Sequence, residues 1–220
     1  MSYFFCKSCT QLPEEPLFRT AVTLNNKSNV INIYCVSSNG ILGSIGTFTP
    51  DILNEIGYDL NQCIIILNGK CLTSALPHEV GHYFNLFHTF EIIFDLECPD
   101  GSNCNTAGDL ICDTPAEPES GSLNFDATDC HFTQTSAVRC GISFSKNALE
   151  QINAHNFMSY APDNCREEFT NEQLTKIRTT LKNKRTNLLK KWVLFENRIN
   201  NSNAGGNLSI DNNDQKPLKK

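Results

Sequence analysis

The chain has 220 residues and a formal net charge of -6. This length fits one medium-sized domain. Proteins that bind nucleic acids usually carry a basic surface, which this mildly acidic composition does not indicate, so no nucleic-acid partner is predicted. No run of 18 apolar residues is present, so no membrane span is predicted.

Eleven cysteines are spread along the chain rather than gathered into one cluster. Scattered cysteines are typical of disulfides formed in an oxidising compartment, so a secreted protein is predicted. Triplets of the N-glycosylation type at Asn26, Asn200 and Asn207 are compatible with secretion. Because the count is odd, at least one thiol is free or pairs between chains.

The start of the chain carries no signal-peptide pattern. No basic segment, long apolar stretch and small-residue cleavage site follow Met1. Either export is unconventional or the signal lies upstream of a truncated chain, and truncation is the hypothesis favoured here. Residues 1–20 contain Pro13 and Pro16 and no periodic pattern, and are predicted to form a loop or a remnant.

Three apolar segments in the first third of the chain are predicted to form strands. Residues 30–36 are rich in β-branched side chains. Residues 40–48 hold three glycines among apolar residues, which indicates a strand with bulges or an open edge. Residues 63–67 form a short apolar run that ends at Asn68-Gly69, which predicts a buried strand.

Two segments have helical spacing. The first covers residues 74–87, with Ser74 as a candidate N-cap. The second begins with a capping box between Thr170 and Gln173 and continues with apolar residues at helical spacing to Phe195.

Two other stretches lack periodicity. Residues 95–147 predict a long loop region that needs disulfides or bound ions to stay ordered. Residues 200–220 are rich in Asn, Gly, Ser and Lys and predict a disordered tail.

Three of the five histidines, His78, His82 and His88, lie within eleven residues. Residues four apart share one face of a helix, so His78 and His82 can reach one ion at about 2.0–2.1 Å. Three neutral nitrogen ligands leave a fourth position open, which is typical of a catalytic rather than a structural zinc site. Glu79 follows the first ligand and is predicted to be the general base that acts on a zinc-bound water.

The third histidine requires the chain to reverse direction. A continuing helix would place His88 about 600° beyond His82, so the helix must break near Asn85. After glycine, asparagine most readily adopts the left-handed conformation that such a turn needs. A single His-Glu-x-x-His pattern is often a chance feature of an amphipathic helix, but the third histidine at this spacing favours the metal site.

The segment from His78 to His88 resembles the HExxHxxGxxH zinc motif of the metzincins, with Asn85 in place of the glycine. Residues 156–160 resemble the Met-turn of the same proteins. Within the metzincins, segments 88–90, 108–115 and 164–174 resemble the pappalysin family. The resemblance covers about residues 30–182.

The resemblance implies an α/β (α+β) fold of the metzincin-like zincin type. Its upper lobe carries a twisted mixed sheet and the active-site helix, and its irregular lower lobe carries the Met-turn and the C-terminal helix. We therefore expect a catalytic domain over residues 21–199, with the upper lobe ending at about residue 88 and the lower lobe covering about 89–199. The family's usual strand–helix–strand segment before residue 30 has no match here, so a truncated or reduced N-terminal part is expected.

The resemblance also implies roles for residues of the Met-turn segment. Met158 is expected to pack beneath the metal site, and Tyr160 to approach the zinc and hydrogen-bond the reaction intermediate. The alternative for Tyr160 is an ordinary half-buried tyrosine. Asp163 lies five residues past Met158 and is predicted to line the pocket for the substrate side chain after the scissile bond, where it would select Arg or Lys. The alternative for Asp163 is a turn-forming role.

The long loop region contains two further sets of expectations. Family members bind calcium near the segment that holds Asp109, Asp113 and Thr114, and such oxygen ligands suit calcium. The alternative is a set of turn-forming residues. By analogy with the family, the expected disulfides are Cys104–Cys130 and Cys140–Cys165.

These observations predict a zinc-dependent endopeptidase that hydrolyses protein or peptide substrates. The edge near residues 43–48 is expected to pair with an extended substrate. The alternative function is a catalytically inactive metzincin-fold binding module, against which the intact Glu79 argues. A disulfide-stabilised structural protein without metal would explain the cysteines but not the histidine spacing.

Overall fold

The computed structural model describes residues 4–6, 24–36, 45–46, 62–118 and 124–189. The tail predicted for residues 200–220 lies outside the described residues, as does most of the segment 1–20. Within the described ranges, no helix is long and apolar enough to cross a membrane. The elements combine a small mixed sheet with short helices, as the predicted α/β class requires.

Four strands form one sheet in the order β1-β2-β4-β3. The strands are β1 (Phe4–Cys6), β2 (Ile33–Val36), β3 (Ile45–Gly46) and β4 (Ile64–Leu67). Strand β2 is parallel to β1 and to β4, and β3 runs antiparallel to β4. Ile64, Ile65 and Ile66 of β4 are fully buried because an inner strand of this kind is covered on both faces.

Strand β1 corrects the prediction of a loop over residues 1–20. Phe4 pairs with Tyr34 and Cys6 with Val36. Three residues are too few to show an alternating pattern, and this strand forms because it satisfies the backbone groups along the edge of β2. Strand β2 is also shorter than predicted, since residues 30–32 precede it without strand structure.

Helix α1 (Ala75–Tyr83) follows a short 3-10 turn and carries the first two histidines of the zinc motif. Pro77 lies in its first turn, where a missing N–H costs no intrahelical hydrogen bond. Ser74 was predicted to cap this helix, but its hydroxyl donates to the Asp163 carboxylate at 3.3 Å instead. The buried face of α1 packs against Ile64 and against the last helix through Ile177.

Residues 124–189 contain a two-stranded hairpin and two α-helices. The hairpin consists of β5 (Val138–Arg139) and β6 (Ile142–Ser143), and the helices are α2 (Lys146–Glu150) and α3 (Asn171–Asn183). The predicted capping box of Thr170 and Gln173 at the start of α3 is confirmed. Helix α3 ends earlier than the predicted Phe195, because the chain turns after Asn183 to direct Arg185 into the protein.

Four disulfides join distant parts of the described chain: Cys35–Cys71, Cys98–Cys140, Cys104–Cys112 and Cys130–Cys165. The predicted pairs Cys104–Cys130 and Cys140–Cys165 are therefore wrong. The loop between Cys104 and Cys112 folds back on itself around Gly108, which has a φ of 61° and brings the two cysteines together. The hairpin places Cys140 against the 90–98 segment, where its sulfur also contacts the Leu96 carbonyl.

Candidate metal centre

The Nε2 atoms of the three histidines point at one another. The Nε2 atom of His82 lies 3.1 Å from that of His78 and 3.0 Å from that of His88. Three nitrogens bound to one tetrahedral zinc at 2.0–2.1 Å would lie about 3.3 Å apart. Within the described part of the chain, these three histidines are the group whose side-chain atoms lie close enough together to hold a metal ion.

The Nδ1 atom of each histidine faces an acceptor on the opposite side of the ring. His78 contacts the Phe157 carbonyl at 2.6 Å, and His82 contacts the Leu86 carbonyl at 2.8 Å. The Nδ1 atom of His88 lies 3.7 Å from the Glu91 carboxylate. Since an acceptor at Nδ1 holds the proton there, the Nε2 lone pairs are directed at the shared point.

Burial keeps the imidazoles of His78 and His82 neutral. Burial, and then the neighbouring His88, lower the pKa of His78 to about 3. Burial together with the other two histidines lowers the pKa of His82 well below its usual range. Neutral imidazoles with converging lone pairs are the donor set that zinc takes, so the residues present fit this metal.

A left-handed turn at Asn85 brings His88 back to the site. Asn85 has a φ of 66°, its N–H donates to the His82 carbonyl, and the N–H of Leu86 donates to the Gly81 carbonyl. This pair of bonds is a Schellman motif, which normally has glycine at the left-handed position. Asn85 therefore occupies the position where the zinc motif of the metzincins has glycine.

The Met-turn lies directly beneath helix α1. Met158 is fully buried, and a Cβ added at Gly81 would overlap its sulfur. Its N–H donates to the side chain of Asn156 at 2.8 Å, and its carbonyl accepts from Thr89 at 3.3 Å. Sequence reasoning missed Gly81, although a glycine inside a helix often indicates that another part of the chain approaches closely.

A buried pair of amides supports the Met-turn from the other side. Asn156 donates to Gln173 at 3.0 Å, and Gln173 donates back at 3.2 Å. The side-chain oxygen of Gln173, Oε1, also accepts from the Thr170 N–H within the capping box. The start of α3 and the Met-turn therefore share one hydrogen-bond network.

Glu79 and Tyr160 both lie near the histidine cluster. Glu79 is buried on α1, next to His78. The Tyr160 ring is partly exposed, with its centroid 4.9 Å from that of His88 and 5.8 Å from that of His78. Burial, and then the carboxylates of Glu79 and Glu91, raise the pKa of Tyr160, so its hydroxyl remains a hydrogen-bond donor at neutral pH.

A sequence model of peptidase family M43, described as pregnancy-associated plasma protein-A, matches residues 61–182. The matched span is more than half of the chain and contains the three histidines, Glu79 and the Met-turn. The chain belongs to the M43 family. The resemblance to the pappalysins that the motifs indicated is thereby confirmed.

Several M43-like relatives are named extracellular metalloproteases. The protein of that name from Pyricularia oryzae is 36% identical over 150 residues, which cover 64% of this chain and 44% of the relative. The one from Sordaria macrospora is 34% identical over 142 residues, which cover 61% and 41%. The chain therefore spans less than half of the length of these relatives.

Two solved structures of mirolysin are similar to the chain. Mirolysin in complex with compound 9 matches with a TM-score of 0.42 and 19% identity, over 82% of this chain and 61% of that chain. Mature mirolysin of Tannerella forsythia in complex with a cleaved peptide has a TM-score of 0.38 and 21% identity, over 69% and 52%. At these low scores, the family membership rests on the sequence match.

The Asp163 carboxylate of this M43 chain is engaged by side chains of the chain itself. It contacts the Lys70 ammonium at 2.5 Å, the Arg166 guanidinium, and the Ser74 hydroxyl at 3.3 Å. Burial acts to raise the pKa of Asp163, but hydrogen bonds from the two cations outweigh it and hold the pKa below its usual range. Arg166 also donates to the Ser159 carbonyl, which links Asp163 to the Met-turn.

The three residues expected near a calcium ion separate into two environments. Asp109 is buried, and both of its oxygens accept from the Thr114 hydroxyl, at 3.1 and 2.9 Å. Asp113 is exposed and caps α3, since it accepts from the Thr170 hydroxyl at 2.6 Å and from the Glu172 N–H at 2.9 Å.

A second buried carboxylate, missed by sequence reasoning, faces Asp109. Glu97 is 2% exposed, and its Oε2 atom has no hydrogen-bond partner among the residues that the structure describes. Burial, and less strongly the charge of Glu97, shift the pKa of Asp109 to about 8, and burial raises the pKa of Glu97 to about 7. Glu97 lies in an aperiodic, cysteine-rich segment, where no sequence pattern indicates which side chains are buried. Its burial could therefore not be predicted from the sequence.

Proposed function

We propose that this chain is the catalytic part of a secreted zinc-dependent endopeptidase that hydrolyses peptide bonds in proteins or peptides. The observation that carries the proposal is the convergence of three histidine Nε2 atoms, with a buried Glu79 beside the first of them. The relatives named extracellular metalloproteases support both the activity and the location.

His78, His82 and His88 would hold the zinc through Nε2. When bound, zinc would polarise the scissile carbonyl and lower the pKa of a water toward about 7. Glu79 would take a proton from the attacking water and then donate it to the leaving amine. The Tyr160 hydroxyl donates to the scissile carbonyl oxygen as negative charge develops on it.

Strand β3 supports a way for the substrate to bind. It lies at one end of the described sheet, antiparallel to β4, and packs beside α1. An extended peptide that pairs with this edge would run along the zinc helix, and main-chain hydrogen bonds would hold it whatever its sequence.

The first prediction tests the catalytic assignment. Purified protein is expected to contain one zinc per chain by elemental analysis and to digest casein until a chelator is added. Replacing His82 with Ala should remove the zinc. Glu79→Gln should keep the zinc and lose at least about 100-fold in turnover, because it removes the base but no ligand. Glu150→Gln, which changes an exposed carboxylate on α2, is the matched control.

The outcomes of that experiment separate the alternatives. Zinc in the His82→Ala protein would contradict the ligand set. Equal turnover of Glu79→Gln and the parent would contradict the general base. A parent protein that holds zinc but cleaves nothing would favour the inactive binding module instead.

The second prediction concerns a preference for Arg or Lys after the scissile bond, which we propose as a separate property of Asp163. A substrate cation would have to displace Lys70, the half-exposed partner of this carboxylate. Profiling with a peptide library should show basic residues enriched at that position. Lys70→Ala should increase the enrichment, because it vacates one side of the carboxylate, and Asp163→Ala should abolish it. An unchanged profile in both variants would contradict the assignment.

Calcium binding at Glu97, Asp109 and Thr114 is a further proposal. Two buried carboxylates and a hydroxyl supply the oxygen ligands that calcium prefers. A cation there would also compensate the cost of burying two like charges. Asp113 is left out of this set because both of its oxygens accept hydrogen bonds from α3.

A further inference from the structure

The third histidine of the site has a different partner from the first two. Backbone carbonyls face Nδ1 of His78 and His82 at hydrogen-bond distance. Nδ1 of His88 faces the Glu91 carboxylate at 3.7 Å, which is within ion-pair range. His88 is thus the candidate ligand whose orientation depends on a side chain and on a charge.

Glu91 is held toward His88 by the backbone around it. Its N–H donates to the His88 carbonyl at 3.0 Å, which closes a turn from the ligand to the carboxylate. Its Oε1 atom accepts from the N–H groups of Ile92 at 2.9 Å and Ile93 at 3.2 Å. The second oxygen, Oε2, is the atom that faces the imidazole.

The Glu91 side chain is largely buried, with 13% of its surface exposed. The Phe90 ring stacks on a face of the His88 ring, with the two ring centroids 4.7 Å apart, and limits rotation of the imidazole.

We propose that Glu91 is a positioning residue for His88, which fixes the ring with its proton on Nδ1 and strengthens Nε2 as a metal donor. A carboxylate behind a metal-bound imidazole acts in this way in general, and its removal typically weakens metal binding about 10- to 100-fold. The inference rests on the proposed zinc site and adds a residue to it.

The test compares zinc affinity, measured by competition with a chelating dye, in three variants. Glu91→Gln removes the charge but keeps an oxygen for the N–H groups of Ile92 and Ile93, so the turn is preserved. It is expected to bind zinc at least about 10-fold more weakly than the parent. Asp95→Asn removes a charge from an exposed position of the same segment, keeps its oxygen for the Leu96 N–H, and should change affinity by less than about twofold.

A second readout reports on ligand geometry rather than on folding. In the cobalt-substituted protein, the visible ligand-field bands should shift in Glu91→Gln and remain at the parent position in Asp95→Asn. Glu91→Asp keeps the charge one methylene further away and should restore part of the affinity. This variant decides the matter if Glu91→Gln fails to fold.

Three results would overturn the inference. A parent protein that binds zinc no more tightly than Glu91→Gln or Glu91→Asp would remove the positioning role and leave the zinc site intact. A parent protein that binds no zinc would remove the proposed function as well. Equal weakening by Asp95→Asn would also contradict the inference, because it would indicate a general effect of charge.

Discussion

At the scale of single residues, the absent side chain of Gly81 matters as much as the histidines beside it. A glycine in the middle of a helix costs about 1 kcal/mol relative to alanine, so substitution with alanine normally stabilises. Here the added Cβ would overlap the Met158 sulfur, the floor of the histidine cluster. Helix propensity therefore predicts that Gly81→Ala raises the free energy of unfolding, whereas the steric overlap predicts that it lowers it.

The third prediction follows from that conflict. Gly81→Ala is expected to lower the free energy of unfolding by about 1–3 kcal/mol, because overpacking a buried contact outweighs the gain in propensity. Urea denaturation would measure it. Gly69→Ala is the matched control, since nothing lies within 4 Å of a Cβ added there, and it should be close to neutral. A stabilised Gly81→Ala protein would show that the Met-turn moves away without cost.

At the scale of elements, Arg185 joins the segment after helix α3 to helix α1. The side chain of Arg185 is buried, with 3% of the residue exposed. Its Nε donates to the Tyr83 carbonyl at 2.8 Å, and its guanidinium lies 3.4 Å from the centre of the Tyr83 ring. A further hydrogen bond runs from the guanidinium to Gln62, just before β4. One side chain thus connects the C-terminal end of α1, the start of β4 and the segment after α3.

The fourth prediction is that Arg185→Lys destabilises the protein by about 2–4 kcal/mol. An ammonium cannot stack on Tyr83 and bond two acceptors in the same geometry, and it would leave a buried polar group unsatisfied. Lys182→Ala, three residues earlier at an exposed position of α3, should change stability by less than about 0.5 kcal/mol. Chemical denaturation of both variants checks the difference, and similar stabilities would contradict the role of Arg185.

Elements that depend on local patterns were predictable. The histidine spacing, the break at Asn85 and the capping box at Thr170 each follow from residues a few positions apart. Features that depend on distant parts of the chain were not predictable. Strand β1 exists because β2 offers an edge, and the disulfide of Cys140 with Cys98 depends on where the hairpin docks. Glu97 is buried by a loop that has no periodicity, so nothing in its neighbours indicates it.

At the scale of the whole molecule, buried acids in the lower region make stability depend on pH. Burial raises the pKa of Asp109 to about 8, and of Glu97 and Glu117 to about 7. The folded state therefore binds protons that the unfolded chain has already released, and stability falls as pH rises toward these values. Burial lowers the pKa of His78 and His82, so these two side chains act in the opposite direction at lower pH and are largely neutral in both states above about pH 7.

The fifth prediction uses the pH interval above the range in which His78 and His82 contribute. Between pH 7 and 8, without added divalent cations, the free energy of unfolding should fall by up to about 1.4 kcal/mol, mainly through Asp109. Asp109→Asn should flatten this dependence, whereas Glu150→Gln should leave it unchanged. Calcium should raise the melting temperature more at pH 8 than at pH 5, because it competes with the protons. A stability that rises with pH in this interval would contradict the assignment.

The amide pair of Asn156 and Gln173 has a consequence for how the molecule opens. Gln173 completes the cap of α3 and at the same time holds Asn156, whose oxygen accepts from Met158. Unwinding the first turn of α3 therefore releases the Met-turn, and displacing the Met-turn uncaps the helix. We therefore expect the two to open as a single cooperative unit, or foldon, in which the amide hydrogens of both segments exchange with solvent together.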